Sequence, residues 1–159
     1  MNYTAAVITV GDRFSTGACV DTAGPAVASM LKEAGYDVIY TSTVRDVRDD
    51  ISAELVKCSY EIEADIILTA GGTGFSMRDV TPDATRDILD REIPSITQAM
   101  LFYSLQITPR AMLSRAVAGI RDKSIIINLP GSEKAARENL SAVIGTMEHA
   151  IQMLKGGNN

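Results

Sequence analysis

The sequence predicts a three-layer α/β domain, a mostly parallel sheet with helices on both faces. Three observations carry this. Short runs rich in Val, Ile and Thr alternate with longer segments whose apolar residues recur at helical spacing, the pattern of strand–helix–strand crossovers. Two turns, Gly71-Gly72-Thr73-Gly74 and Pro130-Gly131, each follow an apolar run and precede a helix start. The 159 residues are enough for one domain with its own core and too few for two.

Tyr3 to Val10, short and rich in Ala, Val, Ile and Thr, reads as a buried first strand. Gly11 to Gly17 breaks the pattern and reads as a loop. Asp21 or Thr22 can cap a helix that runs to Gly35, with Val27, Met30, Leu31 and Ala34 at helical spacing. Val38 to Val44 is the second strand, and Arg45 to Asp50 a charged loop. Ile51, Leu55, Cys58 and Ile62 mark one face of the next helix. Asp65 to Thr69 reads as a buried parallel strand. After the glycine loop, Thr81 is the expected N-cap, Pro82 the first helical residue, and the helix runs to about Glu92.

Pro94 restarts a helix over Ser95–Gln106, with Ile96, Met100, Leu101 and Leu105 as its apolar positions. Phe102 and Tyr103 are adjacent, so both cannot face one core stripe, and one is expected at a subunit interface. Ala116 to Ile120 and Ser124 to Leu129 read as two more strands around the turn Arg121-Asp122-Lys123. The last helix carries Leu140, Val143, Ile144, Met147, Ile151 and Leu154 on one stripe. The domain is expected to span residues 1–155, with 156–159 a flexible tail.

Composition narrows the chemistry. A hydrophobic share of 46% with 22% charged residues suits a soluble globular protein. The net charge of −5 argues against nonspecific nucleic-acid binding and against an anionic membrane surface. An anionic ligand must therefore be drawn by a local positive pocket. Neither a secretory signal pattern nor a membrane-length apolar run is expected, which points to the cytoplasm. Cys19 and Cys58 lack metal or redox spacing, and one His leaves little for zinc.

On a parallel sheet, ligands sit outside the carboxyl ends of the strands. Four loops should meet there: Gly11–Gly17, Arg45–Asp50, Gly71–Val80 and Asn128–Ser132. Glycines let the backbone approach a ligand closely, and successive N–H groups can converge on an anion. The loop is no P-loop, because no Lys lies between Gly71 and Asp83. It is no dinucleotide fingerprint, because Met77 stands where a third small residue belongs. Arg13 and Arg78 can neutralise phosphate, and Asp46 and Asp79 supply the hard oxygens that Mg²⁺ prefers.

With Arg78-Asp79 and Thr81-Pro82 at their spacing after Gly71-Gly72-Thr73-Gly74, the stretch resembles the molybdopterin-binding signature of the molybdopterin adenylyltransferases, the MogA/MoaB and gephyrin G-domain type. The resemblance runs from Tyr3 to about Leu154. It includes Asp12-Arg13 with Gly17, Asp46, Leu113-Ser114-Arg115 with Val117, and Leu129-Pro130-Gly131. It implies a MogA-like fold in a compact, MoaB-like form. It also implies Mg-ATP-dependent transfer of AMP to the terminal phosphate of molybdopterin, with pyrophosphate released. The catalytic and metal-binding pair it implies is Asp46 and Asp79. Its substrate-binding residues are Asp12, Arg13, Gly71, Gly72, Thr73, Gly74, Arg78, Pro130, Gly131 and Ser132. It further implies a trimer or hexamer and a downstream molybdate-insertion partner. Arg115 stays open between a site role and an interface or surface ion pair.

The alternatives are a non-catalytic pterin carrier and a CinA-like nucleotide hydrolase. The second typically carries Asp-Asp-x-Thr where this chain has Arg78-Asp79-Val80-Thr81. The chain departs from the commoner pattern at Gly11, where Ser is usual, and at Ser132-Glu133, where many members have Pro.

Overall fold

The computed structural model describes residues 2–156; the expected tail over 157–159 lies outside them. The strands are β1 (Thr4–Val10), β2 (Asp37–Val44), β3 (Ile66–Ala70), β4 (Arg91–Glu92), β5 (Ala118–Arg121) and β6 (Ser124–Leu129). The helices are α1 (Asp12–Ser15), α2 (Ala23–Glu33), α3 (Arg48–Tyr60), α4 (Thr81–Ile88), α5 (Pro94–Leu105) and α6 (Glu133–Leu154). A 3₁₀ turn covers Pro109–Leu113.

The sheet order is β2-β1-β3-β6-β5-β4. β2, β1, β3 and β6 run parallel, and β5 and β4 are antiparallel additions at one edge. Side-chain alternation on the central strands sorts the core into two layers. Val7, Leu68 and Ile127 face α2, α5 and α6. Ile8, Ile67 and Ile126 face α3 and α4. Each such isoleucine or leucine is fully buried and is worth roughly 1.5–3 kcal/mol of apolar transfer. Truncation there tests the fold; loop residues are where function can be tested separately.

Several expected boundaries move, each for a visible reason. The Gly11–Gly17 loop contains the one-turn helix α1, closed by Ser15 N–H on the Gly11 carbonyl at 3.0 Å. Arg48 to Asp50, expected in a loop, form the first turn of α3, with Asp49 and Asp50 at its positive end. α4 stops at Ile88 rather than Glu92. There Arg121 donates to the Ile88 carbonyl at 2.6 Å, and Asp90 and Ile93 donate to Ile120 and Ala118 of β5. The sheet edge thus takes the backbone that another helical turn would have used.

β5 enters antiparallel because two residues, Asp122 and Lys123, join it to β6, too few for a crossover. On α5, Ile96 and Met100 are buried as expected, whereas Leu101 and Leu105 are exposed beside Phe102 and Tyr103. Among the described residues, no helix is long and apolar enough to cross a membrane.

Candidate functional site

The carboxyl ends of β1, β2, β3 and β6 bring the four expected loops together, because parallel strands all deliver their chain to the same edge. Gly11 donates to the Val44 carbonyl at 2.9 Å, tying the end of β1 to the end of β2. Asp12 and Asp46 then exchange bonds. The Asp12 N–H donates to the Asp46 carboxylate at 3.0 Å, and the Asp46 N–H donates to the Asp12 carboxylate at 3.0 Å. Arg78 reaches across from the glycine loop to Asp12 at 3.2 Å. That ion pair is largely exposed, so solvent screens it and it adds little to stability. Its consequence is placement, since it draws the glycine loop toward the Asp12–Asp46 pair.

Gly71 follows β3 with φ +113°, and a Cβ there would lie 2.3 Å from the Val10 carbonyl oxygen. Only glycine fits. Its N–H donates to the Leu129 carbonyl at 3.0 Å, so the turn rests on β1 and β6 at once. Gly71→Ala is expected to lower stability by about 2–4 kcal/mol, from left-handed strain plus the backbone clash. Urea unfolding would show it as a lower midpoint; an unchanged midpoint would refute the packing argument.

Thr81, expected as N-cap, is instead the first helical residue of α4, and Val80 stands at the cap. The Thr81 hydroxyl donates to the Gly71 carbonyl at 2.9 Å and its N–H to Gly72 at 3.1 Å. It therefore closes the glycine loop from below. The N–H groups of Gly72, Thr73, Gly74 and Phe75 have no acceptor among the described residues. Consecutive donors without an acceptor at a strand-to-helix turn are groups an anion could use.

At the second turn, Asn128 is fully buried and its side chain is engaged within the fold. It accepts from Val117 N–H at 3.1 Å and donates to the Thr69 and Thr85 hydroxyls at 3.0 Å each. The Ser132 hydroxyl oxygen caps α6, accepting from Ala135 N–H at 3.2 Å. Pro130 and Gly131 lie more open, and a Cβ on Gly131 would be 3.3 Å from the Gly71 Cα, so the two turns are in contact. Arg13 is exposed on α1 with no side-chain partner among the described residues, a cation free for a ligand.

Asp79 accepts from Ser76 N–H at 2.9 Å, which turns its carboxylate over the loop. Burial pushes the Asp46 carboxyl above the usual carboxylate range, against the lowering effect of the Asp12 N–H. The Asp12 and Asp79 charges raise it further, and Arg78 opposes them. A bound cation would relieve this crowding of negative charge.

Among the described residues, no cluster of three or more acidic, His or Cys side chains is gathered as a ready-made metal cage. Asp46 and Asp79 are near enough for the charge of one to act on the other, and they are the residues that could hold Mg²⁺, which takes one or two carboxylates and completes its shell with water and substrate phosphates. Cys58 is sealed in the core, where burial pushes its thiol up to about 12, so it is no nucleophile.

A cavity of about 450 Å³ opens on the other flank of the same loop. Thr73 and Gly74 border it, with Pro130 and Ser132 from the second turn and Met100 and Asn139 from α5 and α6. That volume suits a small organic ligand. Thr73 and Gly74 thus border the pocket, while Gly74 also adjoins the Asp79 carboxylate.

Arg115 is the site residue that sequence reasoning left undecided. Its N–H donates to the Thr73 carbonyl at 2.8 Å, and its guanidinium engages Gly74, Asp79 and Asp83. Its partners lie more than thirty positions away along the chain, so only the motif Leu113-Ser114-Arg115 hinted at it.

Residues 6–149 match the family model described as "Probable molybdopterin binding domain". A molybdopterin adenylyltransferase from Helicobacter pylori is 39% identical over 152 residues, covering 94% of this chain and 86% of that one. Dictyostelium discoideum gephyrin is 41% identical over 157 residues. That match covers 93% of this chain, which spans only 22% of the gephyrin. The crystal structure of the molybdopterin biosynthesis enzyme MoaB from Thermus thermophilus superimposes with a TM-score of 0.92 at 40% identity, covering 97% of both chains.

Proposed function

The chain belongs to this molybdopterin-binding family, and on that premise we propose that it transfers AMP from ATP to the terminal phosphate of molybdopterin, releasing pyrophosphate, in molybdenum cofactor biosynthesis. The observation that carries the reading is the row of free N–H donors from Gly72 to Phe75, set between the cavity and a carboxylate pair. The pterin takes the cavity, and its phosphate takes the donors of the glycine loop. Arg13 and Arg78 offset the charge of the nucleotide.

In the transfer, an oxygen of the pterin phosphate forms a bond to the α-phosphorus of ATP. The bond from that phosphorus to the pyrophosphate oxygen breaks. The attacking oxygen is already ionised at neutral pH, so no proton moves and no general base is needed. The lone His149 accordingly has no part in it, being exposed on α6. The protein's task is to bring two polyanions together and hold them in line. Asp46 and Asp79 would hold Mg²⁺, which supplies charge neutralisation on the triphosphate when bound.

The setting is the cytoplasm, and a molybdate-inserting enzyme is the downstream partner. Assembly is a homo-oligomer, trimer or hexamer. Phe102 on α5 is 72% exposed, and Leu101, Tyr103 and Leu105 of the same helix are exposed as well, side chains that a subunit interface would cover. Sedimentation equilibrium at micromolar concentration is expected to give a multiple of the 17.0 kDa chain; a monomer would remove the assembly from the proposal.

The deciding experiment is incubation with molybdopterin and Mg-ATP, followed by mass detection of the adenylylated pterin. Pterin bound without product would favour the carrier reading. ATP cleaved without a pterin adduct would favour the hydrolase.

A further inference from the structure

Arg115 occupies the residue just past the 3₁₀ turn and Ser114, facing the glycine loop from β5's side of the sheet. Its backbone N–H donates to the Thr73 carbonyl at 2.8 Å. Its Nε donates to the Gly74 carbonyl at 3.2 Å and its Nη2 to the Asp79 carbonyl at 2.5 Å. Nη1 and Nη2 also grip both oxygens of Asp83, in the first turn of α4, at 3.2 and 3.0 Å. That pairing holds the Asp83 carboxyl below its usual range. One side chain therefore binds the loop at its entry, at its exit and at the helix that follows. Between these points the tip is bare: Phe75 is 66% exposed and Met77 96%. Neither side chain belongs to a core cluster, and the tip is held by its own Ser76–Asp79 turn and the exposed Arg78–Asp12 pair.

The direction of these bonds matters. A trans peptide unit points its C=O and the next N–H in opposite directions. When Arg115 draws the Thr73 and Gly74 carbonyls toward itself, the N–H groups of Gly74 and Phe75 turn away from it. Those two are among the donors left without an acceptor. The same guanidinium fixes the Asp79 backbone through its carbonyl, from which the carboxylate turns back to accept from Ser76 N–H.

We propose that Arg115 is the positioning residue of this site: by taking the carbonyls of Thr73, Gly74 and Asp79 it presents the anion-binding N–H groups and the Asp79 carboxylate together, without itself touching substrate. A planar fork of five donors suits this task, and a lysine ammonium on a flexible stem does not. The loop geometry stands without reference to any reaction; its kinetic consequence rests on the adenylyl-transfer reading.

The test uses Arg115→Lys in the full chain, with two separate readouts. The first needs no substrate: limited chymotrypsin digestion with mass mapping of the cut after Phe75. Cleavage there tracks opening of the loop and is expected to accelerate roughly tenfold or more, while the melting temperature moves by only a few degrees. The second is steady-state adenylylation. The KM for molybdopterin is expected to rise and kcat to fall, for a combined loss of about tenfold to a hundredfold in kcat/KM. A merely structural arginine would lower the active fraction and leave KM unchanged.

Wild-type cleavage rate in Arg115→Lys overturns the proposal, as does faster cleavage with unchanged KM in an active enzyme. Faster cleavage in a protein whose wild type forms no adenylylated pterin leaves the clamp standing and removes the adenylyl-transfer reading. Should Arg115→Lys fail to fold, Asp83→Asn decides. It weakens the fork and must raise cleavage after Phe75 by about threefold or more; no change there overturns the proposal.

Discussion

Asp79→Asn and Asp46→Asn are each expected to fold normally and to lose adenylyl transfer by about a hundredfold to a thousandfold, the scale on which removal of one electrostatic group at a reacting centre acts. Folding should survive because asparagine keeps an oxygen where each carboxylate accepts a bond, from Ser76 N–H at 2.9 Å for Asp79 and from Asp12 N–H at 3.0 Å for Asp46. Neither side chain belongs to a core cluster. Molybdopterin should still bind, since the N–H donors of the glycine loop are untouched.

Stability of Asp46→Asn carries its own sign. The carboxyl of Asp46 is raised in the folded protein, so the folded state holds the proton more tightly than the unfolded chain does. Ionising Asp46 therefore lowers stability as pH rises from the unfolded pKa through the folded one. At neutral pH the asparagine variant should be as stable as the wild type or more so, while being far less active. Urea unfolding at pH 7 and a molybdopterin-dependent assay read the two effects separately. Full adenylylation by Asp79→Asn would reduce the glycine loop to a binding element.

Asn128→Ala is expected to cost about 3 kcal/mol or more, because it strands several buried polar groups at once. Asn128 is fully buried and its side chain makes three hydrogen bonds, to Val117, Thr69 and Thr85. Alanine strands the Val117 N–H and leaves the Thr69 hydroxyl without that partner inside a layer water does not reach. Each stranded buried group costs about 1–3 kcal/mol. The change also opens a cavity between β6 and α4. Denaturant unfolding should show a markedly lower midpoint with a similar slope. A loss under about 0.5 kcal/mol would mean that water or relaxation resupplies the bonds.

The fold was legible because its signals are local. Ile66–Leu68 and Ile125–Ile127 are continuous apolar runs rich in β-branched residues, the pattern of a strand buried on both faces, and both are strands. The turn expected over Arg121-Asp122-Lys123 is present but one residue shorter, at Asp122-Lys123, and the antiparallel pairing of β5 with β6 across it is seen only in the structure. The misplaced boundaries fall where a distant partner outbids local preference. α4 ends early because β5 offers Asp90 and Ile93 sheet hydrogen bonds. Thr81 gives up the cap because its hydroxyl is taken by Gly71. Leu101 and Leu105 match the apolar pattern of a core stripe, yet α5 turns them outward, since apolar spacing says which residues share a face and not what covers it.

The sequence by itself determined the main strands and helices, though not the one-turn α1 or the two-residue β4, together with the parallel sheet whose carboxyl ends gather the loops and the residue types gathered there. Those follow from periodicity, from glycine at Gly71 and Gly72, and from hard-oxygen and guanidinium side chains at short spacing. Only the tertiary structure decided how the groups are used. It made Asn128, at the head of the second turn, a buried brace. It paired Asp12 with Asp46 across thirty-four positions, and it brought Arg115 onto the glycine loop. Hydrogen bonds between residues far apart in the chain leave no period and no local composition to read. They exist only once the sheet has set its strands side by side.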